Sequence, residues 1–555
     1  MLQLVQVGDI ALLLAVVLVS AWLLAPYIVN IYKRKPSRLD RIFNPVESAI
    51  YKISGVSPDK GMSWKEYFLA ALVLNIFQMA IAFVILTFQN DLPLNPQNFP
   101  GLSWDLAFNT VVSFATNTNL QHYSGEATLS YFSQMTAIQF LQFTSAATGI
   151  CCGIAMIRGL IIDSKDLGNF YVDFVRSLTR LFVPLCLVAG VVLLWLGIPQ
   201  TLSGYTLVKT VEGGTQSILV GPVASLVAIM QLGTNGGGYY GANSAYPFQN
   251  PNPASDVVEI FLMLLIPTAL CFVFGQYIGK KKESTPIIVG AYALFMTDLV
   301  IAFIPNPIVV GPGIETRFGG FMSTFWTVVT TAVTTGSVNS SLAGNHPLAI
   351  LAGFMGMLIQ ATPGGKGVGL MYLLMYVVIT IFVVGLMSGR TPEYLGIKIN
   401  SQDVKLVMIA FLIHPLVIII PTIIAYGGGF VSAIGLSGNS LGFTQILYEF
   451  TTAAANNGSD FLGATANTPF FNVATAIVIF LGRYAPIACL LALSGSMIGR
   501  KRATTEAAIK THTLTFTAIL VASILILVVL TFFPFLALGP ILAYLQHNIN
   551  FYGFP

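Results

Sequence analysis

Ten mostly apolar stretches run along the chain, near 9–30, 66–88, 131–160, 175–197, 257–279, 285–305, 347–388, 403–427, 471–498 and 513–540. A helix needs about 20 such residues to cross a bilayer. The seventh stretch is too long for one crossing. It is broken at Thr362-Pro363-Gly364-Gly365-Lys366-Gly367, where proline and glycine cannot continue a regular helix. The first stretch has no basic segment before it and is followed by Lys33, Arg34 and Lys35, a stop-transfer pattern rather than a cleavable signal. The pattern predicts an all-α polytopic membrane protein with about ten transmembrane helices.

Between the spans lie four short polar signatures. They read Thr116-Asn117-Thr118-Asn119, Thr234-Asn235-Gly236-Gly237, Thr334-Thr335-Gly336-Ser337 and Asn456-Asn457-Gly458-Ser459. Aligned in this way, their third positions are Thr118, Gly236, Gly336 and Gly458, at spacings of 118, 100 and 122 residues. A moderately apolar run precedes each signature, at 103–115, 221–233, 319–333 and 442–455, too short to span and suited to a re-entrant half-helix. The unit is span, half-helix, polar loop, span. It divides the chain into an N-terminal helix with a basic loop (1–60), four repeats (61–168, 169–283, 284–400 with a broken second helix, and 401–502) and a C-terminal helix (503–555). The four repeats are pseudo-symmetric, with one extra helix at each end.

Non-helical backbone at membrane depth is tolerated only where it is buried or lines a water-filled path. Four such loops around one axis present rings of carbonyl oxygens, which can replace the hydration shell of an alkali cation. Glycine permits the turn that aims successive carbonyls inward, and the half-helix C-termini bring their negative dipole ends to a cation. The candidate filter residues are Thr116, Asn117, Thr118, Thr234, Asn235, Gly236, Thr334, Thr335, Gly336, Asn456, Asn457 and Gly458. A single Asn-Gly or Thr-Asn would be an ordinary turn; four at similar spacing favour a filter.

Composition narrows the class further. Charged residues make up 9% of the 555, against about 25% in an ordinary soluble domain. The apolar fraction is 55% and the mean hydropathy +0.79. Too few polar residues remain to cover a soluble protein of this length. The net charge of +4, with basic residues in small scattered clusters, argues against nucleic-acid binding. With the N-terminus outside, 22 of the 26 Lys and Arg fall in cytoplasmic loops, as the positive-inside rule requires. The C-terminus is then also outside. Cys151, Cys152, Cys186, Cys271 and Cys489 lie in apolar runs and suggest no disulfide or metal pattern.

Single residues carry their own expectations. His122, His346, His414, His512 and His547 lack ligand spacing and suit surfaces or interfaces. Asp105 reads as the cap of the first half-helix. Glu126, Glu315, Glu449 and Asp460 read as carboxylates near the filter mouth, either concentrating cations or simply solvated. Arg483 is an intramembrane charge and so a functional candidate. Lys366 places an ammonium in the broken seventh span, where irregular backbone borders a cavity. This loop is a candidate gate, with Gln360, Gly364, Lys366, Gly369 and Arg483 along the ion path; the alternative for Lys366 is an anchor reaching lipid headgroups or water.

Several stretches resemble one family. Ser103-Trp104-Asp105-Leu106, the first signature, and Tyr123-Ser124-Gly125-Glu126 are similar to the potassium-transporting ATPase A subunit (KdpA). So are Leu232 through Gly238, Gly389-Arg390-Thr391-Pro392-Glu393-Tyr394-Leu395-Gly396 and Ala466-Asn467-Thr468-Pro469-Phe470. The resemblance covers nearly the whole chain. It implies a potassium-binding, channel-like subunit in a prokaryotic plasma membrane, with potassium held by the loop carbonyls. Its implied partners are a P-type ATPase B subunit, a C subunit and a small F peptide. The chain departs from the family pattern at Tyr239-Tyr240-Gly241, at Tyr246-Pro247-Phe248-Gln249-Asn250, and at Gln360 and Lys366. No phosphorylation motif or nucleotide-binding loop is visible, and the loops are too short for a nucleotide domain. Any ATP hydrolysis then belongs to a partner, and no cofactor is expected beyond the transported potassium ion. The alternative is a free-standing potassium channel or ion-coupled transporter of the Trk, Ktr and HKT superfamily. Gly389 through Gly396 and the extra C-terminal helix favour the pump subunit.

Overall fold

The computed structural model describes residues 2–161, 165–305, 311–436, 438–500 and 509–551. Lys501 and Arg502, two of the basic residues assigned to a cytoplasmic loop, lie outside these, as does the side chain of His547. Among the described residues ten helices are long and apolar enough to cross a membrane: Gln6–Tyr32, Trp64–Thr87, Tyr131–Gly159, Phe170–Trp195, Pro253–Tyr277, Lys281–Phe303, Val368–Ser388, Ser401–Gly427, Pro469–Met497 and Leu514–Gln546. The seventh apolar stretch becomes two helices, Pro347–Ile359 and Val368–Ser388, of which only the second is long enough to span.

Four half-length helices sit between the two spans of each repeat: Trp104–Ala115, Val223–Leu232, Gly319–Ala332 and Ser440–Ala454. The helix that follows each polar loop starts on a side-chain cap. Ser130, Asn252, His346 and Thr468 each accept a backbone N–H from the first turn. In the last three repeats a proline opens that turn, at Pro253, Pro347 and Pro469, where its missing N–H costs nothing. Local chemistry thus restarts the helix at the same point of every repeat.

The two spans of a repeat have different surroundings. The inner ones, after the polar loop, are 61–89% buried, and the outer ones 39–50%. The extra end helices are 33% and 28% buried. The inner spans therefore pack around the loops, and the outer spans and end helices form the apolar rim. The inner span of the first repeat has a π-helical turn, Gln134–Gln139, near its start, just before the residues that reach the polar loops. All five cysteines are free, with Cys489 only half-buried.

Three features were not visible in the apolar pattern. A helix at Asp40–Ile53 follows the first span and is held by Arg180, whose guanidinium meets Glu47 at 2.5 Å and Asp40 at 2.6 Å. An antiparallel hairpin joins Thr206–Lys209 to Thr215–Ile218, and a smaller one joins Glu393–Tyr394 to Ile397–Lys398. The second of these holds part of the Gly389 to Gly396 stretch.

Candidate functional site

Each half-helix ends in the same sequence of backbone bonds. The capping residue (Thr116, Gly233, Val333 or Ala455) donates to the carbonyl four residues back. The next residue (Asn117, Thr234, Thr334 or Asn456) donates three back and turns left-handed, with φ of 65°, 35°, 45° and 52°. The one after (Thr118, Asn235, Thr335 or Asn457) donates five back, to Ser113, Met230, Thr330 and Thr452, at 2.7–2.9 Å. The third loop residue (Asn119, Gly236, Gly336 or Gly458) is left-handed again, with φ of 56°, 92°, 96° and 102°. A turn with left-handed residues on either side of its middle position, repeated four times, is a device for aiming carbonyls, and it costs least with glycine or asparagine.

This geometry corrects the first loop by one residue. Thr116 is the cap of its helix and corresponds to Gly233. Thr118 corresponds to Asn235, Thr335 and Asn457, and Asn119, not Thr118, takes the position of the three glycines. Thr116 uses its hydroxyl on Val112 O and Thr118 Oγ1, at 2.8 and 2.9 Å.

The loops meet in a ring. A Cβ built on Gly236 would lie 1.8 Å from Thr335 O, one on Gly336 2.1 Å from Asn457 O, and one on Gly458 1.9 Å from Thr118 O. Each glycine therefore lies against the second-position carbonyl of the next repeat, in the order two to three, three to four, four to one. At the remaining seam Asn117 Nδ2 donates to Thr234 O at 2.7 Å, and Asn119 Nδ2 to Gly237 O at 3.3 Å. Among the described residues, none of the carbonyls of Thr118, Asn235, Thr335 and Asn457 accepts a hydrogen bond. Buried carbonyls ordinarily find a donor, so four free ones in a ring suit a cation.

Side chains brace the ring from behind. The Ser145 hydroxyl reaches Asn117 Oδ1 at 3.0 Å and Asn235 Oδ1 at 3.2 Å. Gln142 Nε2 donates to Gly237 O at 2.7 Å. Asn456 Nδ2 donates to Thr118 Oγ1 at 2.9 Å, and Asn457 Nδ2 to Thr330 O at 2.9 Å. Trp326 Nε1 holds Ser337 O at 2.8 Å, and the Tyr448 hydroxyl meets Ser459 Oγ at 2.7 Å. Gln142, Ser145 and the two aromatics carry no motif signal. Their spacing from the loops, fixed by helical geometry, is what could have pointed to them.

The broken seventh span lies against the third loop. Gly364 N donates to Ala332 O at 2.9 Å, and a Cβ on Gly365 would lie 2.2 Å from Thr334 Oγ1. Gly364 and Gly369 are packed together: a Cβ on Gly369 would lie 2.6 Å from the Gly364 Cα. Lys366 is 2% exposed, and among the described residues its Nζ has no hydrogen-bond partner; it sits 6.0 Å from the Phe182 ring centre. The expectation that it reaches headgroups or water does not hold. Arg483 Nη2 donates to Ser145 O at 3.3 Å, and a Cβ on Gly149 would lie 2.8 Å from that Nη2 and 2.5 Å from Lys366 O. Lys366 and Arg483 thus converge beside one glycine of the inner span that also braces the ring of loops. Gln360 ends the half-crossing helix in a left-handed turn, φ 53°, and its amide meets His414 Nε2. His414 also faces Ala454 O at 2.8 Å and the Tyr372 hydroxyl at 3.1 Å.

The mouth departs from expectation. His122, His414 and Glu449 are buried, not surface groups. His346 caps a helix, and His512 lies 3.6 Å from Glu283. Ser103, not Asp105, holds the N-cap position of the first half-helix, without a side-chain capping bond; Asp105 sits in the first turn and accepts from Asn472 Nδ2 at 2.9 Å. Glu315 pairs with Arg317 at 3.1 Å. Glu126 accepts Gly241 N–H at 2.8 Å; burial raises its carboxyl above the usual range, and that hydrogen bond offsets part of the rise. Asp460 accepts Leu462 and Gly463 N–H. The Tyr239 and Tyr240 departure forms an aromatic wall, with Tyr240 stacked on Tyr246 at 3.8 Å.

Four inward-turned loops on half-length helices, enclosed by spanning helices, define a pore-loop membrane transport fold. The crystal structure of the potassium transporter TrkH from Vibrio parahaemolyticus has that fold too, with a TM-score of 0.52 at 14% identity over 87% of this chain and 98% of that one. The family model described as potassium-transporting ATPase A subunit (KdpA) matches residues 11–545, and the chain belongs to that family. Two relatives are each named potassium-transporting ATPase potassium-binding subunit. One, from Alicyclobacillus acidocaldarius, is 45% identical over 97% of this chain and 99% of its own length. The other, from Caldanaerobacter subterraneus, is 43% identical over 96% and 98%.

Proposed function

We propose that this chain is the potassium-binding and translocating subunit of an ATP-driven uptake pump, selecting K+ at the ring of loop carbonyls. The observation that carries the reading is the set of carbonyls at Thr118, Asn235, Thr335 and Asn457 that accept no hydrogen bond among the described residues, each of the last three loops meeting the next at a glycine. Family membership and the names of the relatives support it. The chain sits in a prokaryotic plasma membrane with both termini outside, and its basic loops face the cytoplasm. It works with a P-type ATPase B subunit, a C subunit and a small F peptide; the B subunit hydrolyses ATP. Affinity purification of this chain from its native membrane tests the assembly. Recovery of a P-type ATPase with potassium-stimulated, vanadate-sensitive hydrolysis is expected. Such hydrolysis by the isolated chain, or uptake without any ATPase partner, would overturn it.

The loop at Gly364, Lys366 and Gly369 acts as a gate. Its buried Lys366 amine, which has no hydrogen-bond partner among the described residues, stands beside the Arg483 guanidinium, and together they oppose a second cation and limit leak through the filter. Lys366→Ala in the reconstituted complex should raise passive potassium flux without ATP by about tenfold, since a charge at this depth is worth at least 1.4 kcal/mol. Wild-type passive flux with unchanged ATP-driven uptake would remove the gate.

A further inference from the structure

The mouth of the first loop holds a buried pair that neither ion binding nor the gate uses. His122 and Glu449 are both 0% exposed. His122 Nε2 lies 3.0 Å from Glu449 Oε1, and Nδ1 lies 2.6 Å from Asn472 Oδ1. The Asn472 amide is fixed in orientation, because its Nδ2 donates to Asp105 Oδ2 and Asn467 Oδ1, both at 2.9 Å. Nδ1 must therefore carry a proton. Nε2 faces a carboxylate oxygen, so a second proton must lie between the two. Imidazolium with carboxylate, or imidazole with carboxylic acid, both satisfy this. Either way the pair is neutral overall and holds one proton that a neutral imidazole beside a carboxylate would lack. The other charged groups facing it are Asp460, on the loop after the fourth half-helix, and Asp105, reached through Asn472.

Its position gives the pair a task. Loops three and four are gripped from their own half-helices by Trp326 and Tyr448, each eleven residues before the residue it holds. Loop two is held by Gln142. In loop one the residue eleven before Leu120 is Asn109, which reaches Asn472 O and Thr475 Oγ1 instead, and Leu120 O is held from its own half-helix only by the small Ser113 hydroxyl, at 3.1 Å. The chain leaving loop one is fastened two residues after Leu120 by His122, to the fourth half-helix and to the inner span of the fourth repeat. This is the seam where Gly458 lies against Thr118 O.

We propose that His122 is a positioning residue of the first filter loop, replacing with Glu449 and Asn472 the aromatic grip of loops three and four, so that the proton it shares with Glu449 ties ion selection to the pH at the filter mouth. This rests on the filter reading above. The sign follows from the contact: losing the shared proton leaves a lone pair facing a carboxylate in a dry site, so the seam loosens and potassium affinity falls as pH rises.

The test uses the complex with its ATPase partner, reading potassium-stimulated hydrolysis from mildly acid to mildly alkaline pH. His122→Ala and His122→Gln should raise the KM for potassium about tenfold and weaken discrimination against rubidium, with kcat changed less than about twofold. Glu449→Ala should do the same. Glu449→Gln is the conservative rescue: its amide can donate to a neutral His122 Nε2, so KM should return toward wild type and its rise with pH should vanish. KM, rubidium discrimination and pH profile all unchanged in both His122 variants would overturn the proposal. So would an undiminished pH dependence in Glu449→Gln. Gly236→Ser runs alongside. An effect there with none at His122 removes the positioning role and leaves the filter, whereas no effect at either removes both.

Discussion

The seam between loops one and two is built differently from the other three. At the others, the third loop residue is glycine and the neighbour's carbonyl occupies the space of a Cβ. At the first seam that residue is Asn119, which has a side chain. The bare position has moved across the seam: a Cβ on Gly237 would lie 2.1 Å from Asn119 O and 2.8 Å from Asn119 Cβ. The ring thus needs one residue without a side chain at each seam, and either partner can supply it. Backbone approach, not the identity of the motif, is the repeated requirement.

Three substitutions press on this comparison. The largest effect is expected for Gly236→Ser, which meets both a left-handed φ and a backbone carbonyl. Strain of about 1–3 kcal/mol corresponds to roughly a 5- to 150-fold loss of potassium affinity, read as uptake at low external potassium. Normal uptake would mean that the second loop is only a turn. Gly237→Ala meets the carbonyl of Asn119 without the φ penalty, so a loss of about tenfold is expected from overpacking alone. If it is silent while Gly458→Ala is severe, the first seam does not share the steric rule. The smallest effect is expected for Asn119→Gly. It keeps the φ and gives up one 3.3 Å hydrogen bond, worth about 0.5–1 kcal/mol. Its affinity should fall by less than about fivefold, and a larger fall would make the asparagine side chain, rather than the turn, the essential element.

The ten spans and four half-helices were legible because a bilayer imposes length and apolarity on any segment that enters it. The register of the first loop was not. Thr-Asn occurs at Thr116-Asn117 and again at Thr234-Asn235, so matching by identity aligns Thr116 with Thr234, whereas the hydrogen bonds align Asn117 with Thr234. Counting five residues back to the end of each half-helix separates the two. Long-range partners left even less trace. His122 and Glu449 are 327 residues apart, Gln142 and Gly237 95 apart, and neither pair has a pattern to betray it. Lys366 could be placed at membrane depth from sequence, but its neighbours Phe182, Gly149 and Arg483 are brought near by the fold alone.

The closing seam of the ring has a consequence for how the protein is made. Asn456 reaches back across 338 residues to Thr118, and Gly458 receives the Thr118 carbonyl at the same place. A ribosome has therefore delivered the first loop long before the segment that closes the ring against it exists. Until the fourth repeat enters the membrane, three loops form an open arc whose carbonyls cannot surround a bare ion, and a partly synthesised chain offers no closed pathway through which a cell could lose its potassium.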